Sequence, residues 1–215
     1  MTKSETPSSE TRQPRRILFL DMDGVLNSHF HAVRESSFPQ PEFGPLHDKW
    51  DEEHEADMRR MLEEVDPYLA WNLGFIAKHV PGLEIVISST WRNHFTLGQF
   101  NELFTERLKL KDIRVVGFTP RVSDGQKFSE RVPRIAEIDQ WRKDNNVTWA
   151  ECVMVDDHAL APNCDPTSRW IPEDPTWEER FVQTDQRDGL IYSRAWDVIT
   201  KFIGWEAFKP PVCLM

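Results

Sequence analysis

An apolar segment, residues 17–20, runs directly into two carboxylates spaced two positions apart, Asp21 and Asp23, followed by Gly24. So apolar a segment is typical of a central strand in a parallel sheet, which is buried on both faces. Two acids at the end of a buried strand are costly unless a metal ion or a bound group compensates their charge. The pattern suits phosphoryl transfer, with Asp21 attacking phosphorus and Asp23 moving a proton. A buried strand that simply ends in an Asp-Gly turn is the alternative.

Two further apolar segments also end in polar side chains. One leads into three hydroxyls, Ser88 to Thr90, and the other leads into the acids Asp156 and Asp157. In open α/β sheets, ligands bind beyond the carboxyl ends of the strands. We therefore expect the three segments to lie side by side and to form one site.

The order of apolar and amphipathic segments predicts the fold class. Predicted strands occupy residues 17–20, 84–88, 113–116, 151–157 and 181–184, and predicted helices occupy 67–80, 96–109, 133–142 and 195–203. Strands that alternate with helices indicate a parallel sheet covered by helices on both faces. The prediction is an α/β three-layer sandwich with a mainly parallel, Rossmann-like sheet.

The length of 215 residues predicts one domain with an insertion. Residues 1–14 are polar and predicted to be a disordered tail, residues 15–208 form the domain, and residues 209–215 form a C-terminal tail. Residues 28–66 exceed an ordinary strand-to-helix connection, which predicts a small helical cap or lid inserted after the first strand. A plain surface excursion is the alternative.

Charge and composition narrow the partners. The formal net charge of −10 disfavours a long nucleic acid as an obligate partner, because phosphate backbones require basic surface. Three cysteines without regular spacing do not predict a disulfide scaffold. No apolar run is long enough for a membrane span, and the N-terminus lacks the apolar stretch of a signal peptide. We expect a cytoplasmic protein with no membrane partner, whose oligomeric state the sequence does not fix.

The polar strand ends resemble, in order and in context, the motifs of the haloacid dehalogenase-like (HAD) hydrolase superfamily, over about residues 15–204. The first motif matches at Asp21 and Asp23, the second at Ser88, with Ser89 or Thr90 as alternatives, and the fourth at Asp156 and Asp157. The third motif is a cation on or just before a helix. Its candidates are Lys127, Arg131 and Arg134, of which Arg134 fits best.

The chain also resembles one branch of this superfamily, the HAD branch associated with Swiss-army-knife RNA-repair proteins. It rests on Asp-Gly-Val-Leu-Asn, Val-Ile-Ser-Ser-Thr-Trp-Arg, Gly117-Phe-Thr-Pro, Arg134-Ile-Ala-Glu-Ile and Thr184-Asp-Gln-Arg-Asp-Gly-Leu. This resemblance supports the reaction more than the substrate.

The superfamily resemblance implies a phosphoric monoester hydrolase that uses Mg²⁺. By that analogy Asp21 is the nucleophile and forms an aspartyl-phosphate, while Asp23 is the general acid and base. Asp21, the backbone carbonyl of Asp23 and Asp156 would hold Mg²⁺, and Asp157 would assist them. The predicted phosphate-binding residues are Ser88, Ser89 and Arg134. An acid at the position of Asp23 favours a phosphatase over a dehalogenase, because halide leaves without a proton.

The expected substrate is a small phosphorylated molecule, most naturally a nucleotide or a nucleotide-derived compound. Candidate substrate-binding residues are His29 and His31, just after the first motif, and Trp91 and Arg92, just after the second. For Trp91, plain core packing is the ordinary role, and stacking on a base is the alternative. The open alternatives in function are a polynucleotide-end phosphatase, a binder that sequesters a phosphorylated ligand without turnover, and a metal-dependent nuclease.

Overall fold

Five parallel strands form one sheet in the computed structural model, which describes residues 14–30, 52–122, 132–161 and 170–204. The strands are β1 (Arg16–Leu20), β2 (Leu83–Ile87), β3 (Arg114–Phe118), β4 (Cys152–Asp156) and β5 (Phe181–Gln183), in the spatial order β3-β2-β1-β4-β5. The predicted parallel α/β sheet is thus confirmed, and the strand that carries the first motif lies at its centre.

Helices cover both faces of the sheet, as in the predicted three-layer sandwich. They are α1 (Glu52–Glu64), α2 (Pro67–His79), α3 (Leu97–Asn101), α4 (Arg134–Asp144), α5 (Thr176–Glu179) and α6 (Tyr192–Ile203). Side chains alternate across the sheet: Leu18 and Leu20 join the core beneath α1, α2, α3 and α6, while Ile17 and Phe19 join the core beneath α4 and α5. Within the described ranges no helix is both long and apolar enough to cross a membrane.

Two helix starts follow from capping residues that the sequence contains. Asp66 is the N-cap of α2, and its side chain accepts a hydrogen bond from the backbone amide of Tyr68. Pro67 follows it directly, in the first turn of the helix. Thr96 caps α3 in a reciprocal capping box with Gln99. The predicted helix 96–109 is, however, not uniformly α-helical.

After α3 the chain continues as a π-helix, Glu102–Arg107. Where the α-helix changes into the π-helix, the side chain of Asn101 forms two hydrogen bonds with the backbone of Val115 on the edge strand β3. Its Nδ2 atom donates to the Val115 carbonyl and its Oδ1 atom accepts from the Val115 amide, each at 3.0 Å. These two bonds anchor the end of α3 to the sheet, which the helical periodicity of the sequence does not reveal.

The structure describes only the ends of the predicted insertion 28–66. Helix α1 buries Met58 and Met61 in the same core as α2 and α6, so it belongs to one helical layer of the sandwich. Arg107 ties α1 to the π-helix through 2.7 Å ion pairs with Glu55 and Glu102. Residues 31–51 lie outside the described ranges, and so do the two predicted tails apart from Pro14; the lid remains a prediction.

Candidate active site

The register of the three central strands brings their polar ends together. The last paired residues of β1 with β2 and with β4 stand one position before Asp21, Ser88 and Asp156. The backbone continues the ladder, since the amide of Asp21 donates to the Val155 carbonyl at 3.0 Å and that of Ser88 to the Leu20 carbonyl at 2.8 Å. Three polar side chains therefore lie level at the carboxyl edge of the sheet, as the sequence predicted.

Two of these side chains are carboxyl groups that are almost fully buried. Asp21 is 6% exposed and Asp156 is 4% exposed. Burial raises the pKa of Asp21 to about 6. Burial, and next the charge of Asp21, raises the pKa of Asp156 to about 7. Two buried carboxylates beside each other favour the binding of a cation, which would remove this electrostatic cost.

Arg134 lies beside both acids, at the first position of α4. Its Nη1 atom is 4.0 Å from Oδ1 of Asp21, and its Nε atom is 3.9 Å from Oδ2 of Asp156. The guanidinium charge opposes the rise in pKa of both carboxyl groups. Among the described residues Nη1 of Arg134 is buried without a hydrogen-bond partner. Of the other candidate cations for the third motif, Lys127 and Arg131 lie outside the described ranges.

The three hydroxyl groups after β2 have different environments. Ser88 is buried, and its Oγ atom has no hydrogen-bond partner in the described part of the chain. Ser89 caps the 3-10 helix Thr90–Asn93, and its hydroxyl bonds the Asp21 carboxyl group and thereby lowers the pKa of Asp21. Thr90 is exposed. Of the two buried hydroxyls, Ser88 is therefore the one whose donor has no partner in the described part of the chain.

Asp23 lies at the mouth of the site, exposed to solvent, in a tight loop. Gly24 turns this loop with φ +69°, and its amide donates to the Asn27 carbonyl at 2.8 Å. Oδ1 of Asp23 accepts two hydrogen bonds, from Nδ2 of Asn27 at 2.9 Å and from Nε1 of Trp91 at 3.0 Å. Neither contact was predicted from the sequence. For Asn27 the sequence did contain a signal, because an Asn that closes an Asp-Gly turn is a recognisable pattern.

The acids after β4 form a compact group of possible metal ligands. Asp156, Asp157 and His158 offer ligand atoms that all lie within 4.8 Å of one another, so this cluster could hold a metal ion. Nδ1 of His158 lies 2.6 Å from Oδ1 of Asp157, and this contact raises the pKa of the imidazole. A Cβ atom at Gly24 would lie 2.5 Å from the Asp157 carboxyl group, so only glycine lets the two loops approach this closely. His158 was not among the predicted residues.

The predicted substrate-binding residues have different environments from one another. Trp91 is only 5% exposed and packs on Phe95, with ring centroids 5.4 Å apart, so its ring has no open face for a base. Arg92 bonds both carboxyl oxygens of Glu137 on α4, at 2.9 and 2.8 Å. His29 is exposed, and His31 lies outside the described ranges. The proposed substrate contacts of Arg92, His29 and His31 stay predictions, whereas the burial of Trp91 fits core packing rather than stacking on a base.

A cleft of about 1040 Å³ opens beside Asp23. It is lined by Asp23, Gly24, Asn27, Ser28, His29, Glu63, Glu64, Asp185, Gln186 and Arg187. Among these lining residues the acids outnumber the single arginine, so the cleft favours a ligand with little negative charge beyond the reacting group.

The segment 184–190 contacts the loop that follows Asp23. The hydroxyl of Thr184 donates to the Gly24 carbonyl at 2.9 Å, and the amide of Leu190 donates to the Val25 carbonyl at 2.8 Å. Gly189 has φ +69°, and a Cβ atom there would lie 2.8 Å from the Val25 carbonyl oxygen. Residues 184–190 therefore contact the residues of the first motif. The Asp-Gly turn within this segment does not by itself indicate that role.

A model of the protein family described as the HAD domain in Swiss Army Knife RNA repair proteins matches residues 17–195. The match covers most of the chain and includes every site residue discussed above. No curated protein matches the chain.

Proposed function

We propose that this chain, which belongs to the family of HAD domains in Swiss Army Knife RNA repair proteins, is a Mg²⁺-dependent phosphohydrolase that cleaves phosphoric monoesters. Its reaction would proceed through an aspartyl-phosphate on Asp21. One arrangement carries the proposal: the buried Asp21 lies level with Ser88 and beside Arg134, and both of these neighbours have donors without a partner among the described residues. Buried donors are normally satisfied, and phosphoryl oxygens are strong acceptors for them.

The donor set at this site fits Mg²⁺. The carboxylate oxygens of Asp21 and Asp156 are hard ligands of the kind that Mg²⁺ prefers, and the Asp23 carbonyl and Asp157 are the further candidates. The raised pKa values of Asp21 and Asp156 fit a site in which a divalent cation stabilises both carboxylates. Bound there, the ion would neutralise charge on the phosphoryl group and so reduce its repulsion of the nucleophile.

The side chains then act in two half-reactions. A carboxylate oxygen of Asp21 forms a bond to phosphorus while the bond to the leaving oxygen breaks, and Asp23 gives its proton to that oxygen. In the second half-reaction Asp23 takes a proton from water, whose oxygen attacks phosphorus and frees Asp21. Ser88 and Arg134 hold the phosphoryl oxygens in both steps.

A nucleotide or a small nucleotide-derived molecule is the substrate class that we favour. The cleft beside Asp23, about 1040 Å³, slightly exceeds the range of about 300–1,000 Å³ that is typical of small-ligand sites. Its acidic lining, which includes Glu63, Glu64 and Asp185, favours a compact monoester over a polyanionic strand. The family description, which names RNA repair, favours a second candidate, a polynucleotide-end phosphatase. A sequestering binder remains the non-enzymatic alternative.

The test is phosphate release with Mg²⁺ from nucleoside monophosphates, sugar phosphates and oligonucleotides with 3′- or 5′-phosphates. The variant Asp21→Asn should abolish release, and the control Asp144→Asn, at an exposed position near the end of α4, should not change it. Release from nucleotides supports the favoured class, and release from oligonucleotides alone supports the second candidate. Tight binding of one compound without release would refute a hydrolase and favour the sequestering binder.

A further inference from the structure

Trp91 makes an unusual contact with the exposed Asp23. Its indole N–H donates to Oδ1 of Asp23 at 3.0 Å, and Nδ2 of Asn27 donates to the same oxygen at 2.9 Å. No hydrogen bond to Oδ2 of Asp23 occurs within the described ranges. One carboxyl oxygen is thus held by two donors, while the other remains available to the cleft that Asp23 lines.

The indole is held rigidly enough to impose this orientation. Trp91 lies in the 3-10 helix Thr90–Asn93 that follows β2, and its carbonyl accepts from the amides of His94 and Phe95, both at 3.0 Å. Its ring is buried against the ring of Phe95. An exposed aspartate otherwise rotates broadly about its terminal torsion. The fixed donor therefore restricts a group that would sample many orientations.

The chemistry of the two donors also determines where a proton resides on Asp23. An indole N–H donates only, and Asn27 presents its amide nitrogen because its Oδ1 accepts from the Gly24 amide at 3.3 Å. An oxygen that accepts from two donors has no room for a hydrogen of its own. A proton carried by Asp23 therefore lies on Oδ2, the oxygen that accepts no hydrogen bond within the described ranges.

We propose that Trp91 is a positioning residue for proton transfer, which holds Asp23 so that Oδ2 gives its proton to the leaving oxygen of the substrate. The inference rests on the proposed function, in which Asp23 is the general acid. As the bond from phosphorus to the leaving oxygen breaks, the O–H bond at Oδ2 breaks and the proton forms a new bond to that oxygen. The role replaces base stacking, for which the buried ring has no free face.

Trp91→Phe tests the proposal, because it keeps an aromatic ring in the core and removes only the N–H donor and part of the ring. Two substrates are compared: an alkyl phosphate, whose leaving oxygen needs a proton, and p-nitrophenyl phosphate, whose leaving group departs as a stable anion. The ratio kcat/KM reports the steps up to release of the first product, which include this proton transfer.

For the alkyl phosphate we expect kcat/KM of Trp91→Phe to fall about tenfold, the effect of one hydrogen bond to a charged group. For p-nitrophenyl phosphate we expect a change of less than about twofold, since no proton is needed. Asp23→Asn should show the same selectivity with a larger loss. A matched control is Trp149→Phe: this indole is 3% exposed, and its Nε1 has no hydrogen-bond partner in the described part of the chain, so the substitution should not be selective.

The outcomes distinguish a failure of this inference from a failure of the proposed function. If wild type releases no phosphate, or if Asp21→Asn keeps full activity, the proposed function fails. If Asp23→Asn is selective while Trp91→Phe loses both substrates equally, or neither, the positioning role is overturned. Should Trp91→Phe fail to fold, Asn27→Ala removes the other donor from the surface loop, and the same selective loss is required of it.

Discussion

Replacing Asp156 by asparagine should stabilise the metal-free protein at alkaline pH. Burial and the charge of Asp21 raise the pKa of Asp156 from 3.8 to about 7. In the unfolded chain the carboxyl group ionises near its ordinary value, whereas in the folded chain it ionises only near pH 7. The contribution of Asp156 to the free energy of unfolding therefore falls as the pH rises from about 4 to about 7, and it levels off above that range.

The size of the effect follows from the pKa change. Three pKa units correspond to about 4 kcal/mol of unfavourable free energy in the folded, ionised state. Burial accounts for the largest part of this cost, and the charge of Asp21 adds to it. Asparagine removes one charge and can keep the bond that the His158 amide makes to Oδ1 at 2.8 Å. We expect Asp156→Asn to gain about 2–4 kcal/mol at pH 8 and little at pH 4.

The assay is urea unfolding with a chelator present, at pH 4 and at pH 8, for wild type, Asp156→Asn and the exposed control Asp144→Asn. Added Mg²⁺ should stabilise wild type at pH 8 by binding the folded state, and it should stabilise Asp156→Asn much less. A variant that is less stable than wild type at pH 8 in chelator would refute the reasoning. It would mean that the buried carboxylate stabilises the fold without a cation.

Two further substitutions test the role of Ser88 and the packing of segment 184–190. Ser88→Ala removes a buried hydroxyl without a partner in the described ranges, so it should leave urea stability unchanged or raise it by about 1 kcal/mol, while kcat falls about tenfold or more in a phosphate-release assay. Gly189→Ala should lower the free energy of unfolding by about 2–4 kcal/mol, because φ is +69° and the new Cβ atom would meet the Val25 carbonyl at 2.8 Å and Leu69 at 2.4 Å. Equal stability of Gly189→Ala and wild type in urea would contradict the close packing of Gly189 against Val25 and Leu69.

The level positions of Asp21, Ser88 and Asp156 could be predicted from the sequence because each follows an apolar strand. Parallel strands place their carboxyl ends at one edge, so strand ends alone identify the members of the site. The cation on α4 has no such signal in the strand ends. The resemblance to the superfamily indicated it, with Arg134 preferred over Lys127 and Arg131, and the structure places Arg134 beside Asp21 and Asp156.

The contacts of Trp91, Arg92 and Gly189 could not be predicted from the sequence. The bond from the Trp91 indole to Asp23 joins residues 68 positions apart, and that from Arg92 to Glu137 joins residues 45 apart. No local pattern encodes such pairs, since they depend on how neighbouring loops pack. For the same reason the sequence did not indicate that α1 joins the helical layer of α2 and α6.

The most direct test of the account is a search for phosphate on Asp21 during turnover. Protein mixed with Mg²⁺ and a hydrolysed substrate is quenched in acid within milliseconds, digested and analysed by mass spectrometry, beside Asp21→Asn. We predict one added phosphoryl group on the peptide that contains Asp21, labile to hydroxylamine and absent from the variant. Steady phosphate release without any phosphorylated peptide, or release that survives in Asp21→Asn, would contradict the nucleophilic role of Asp21.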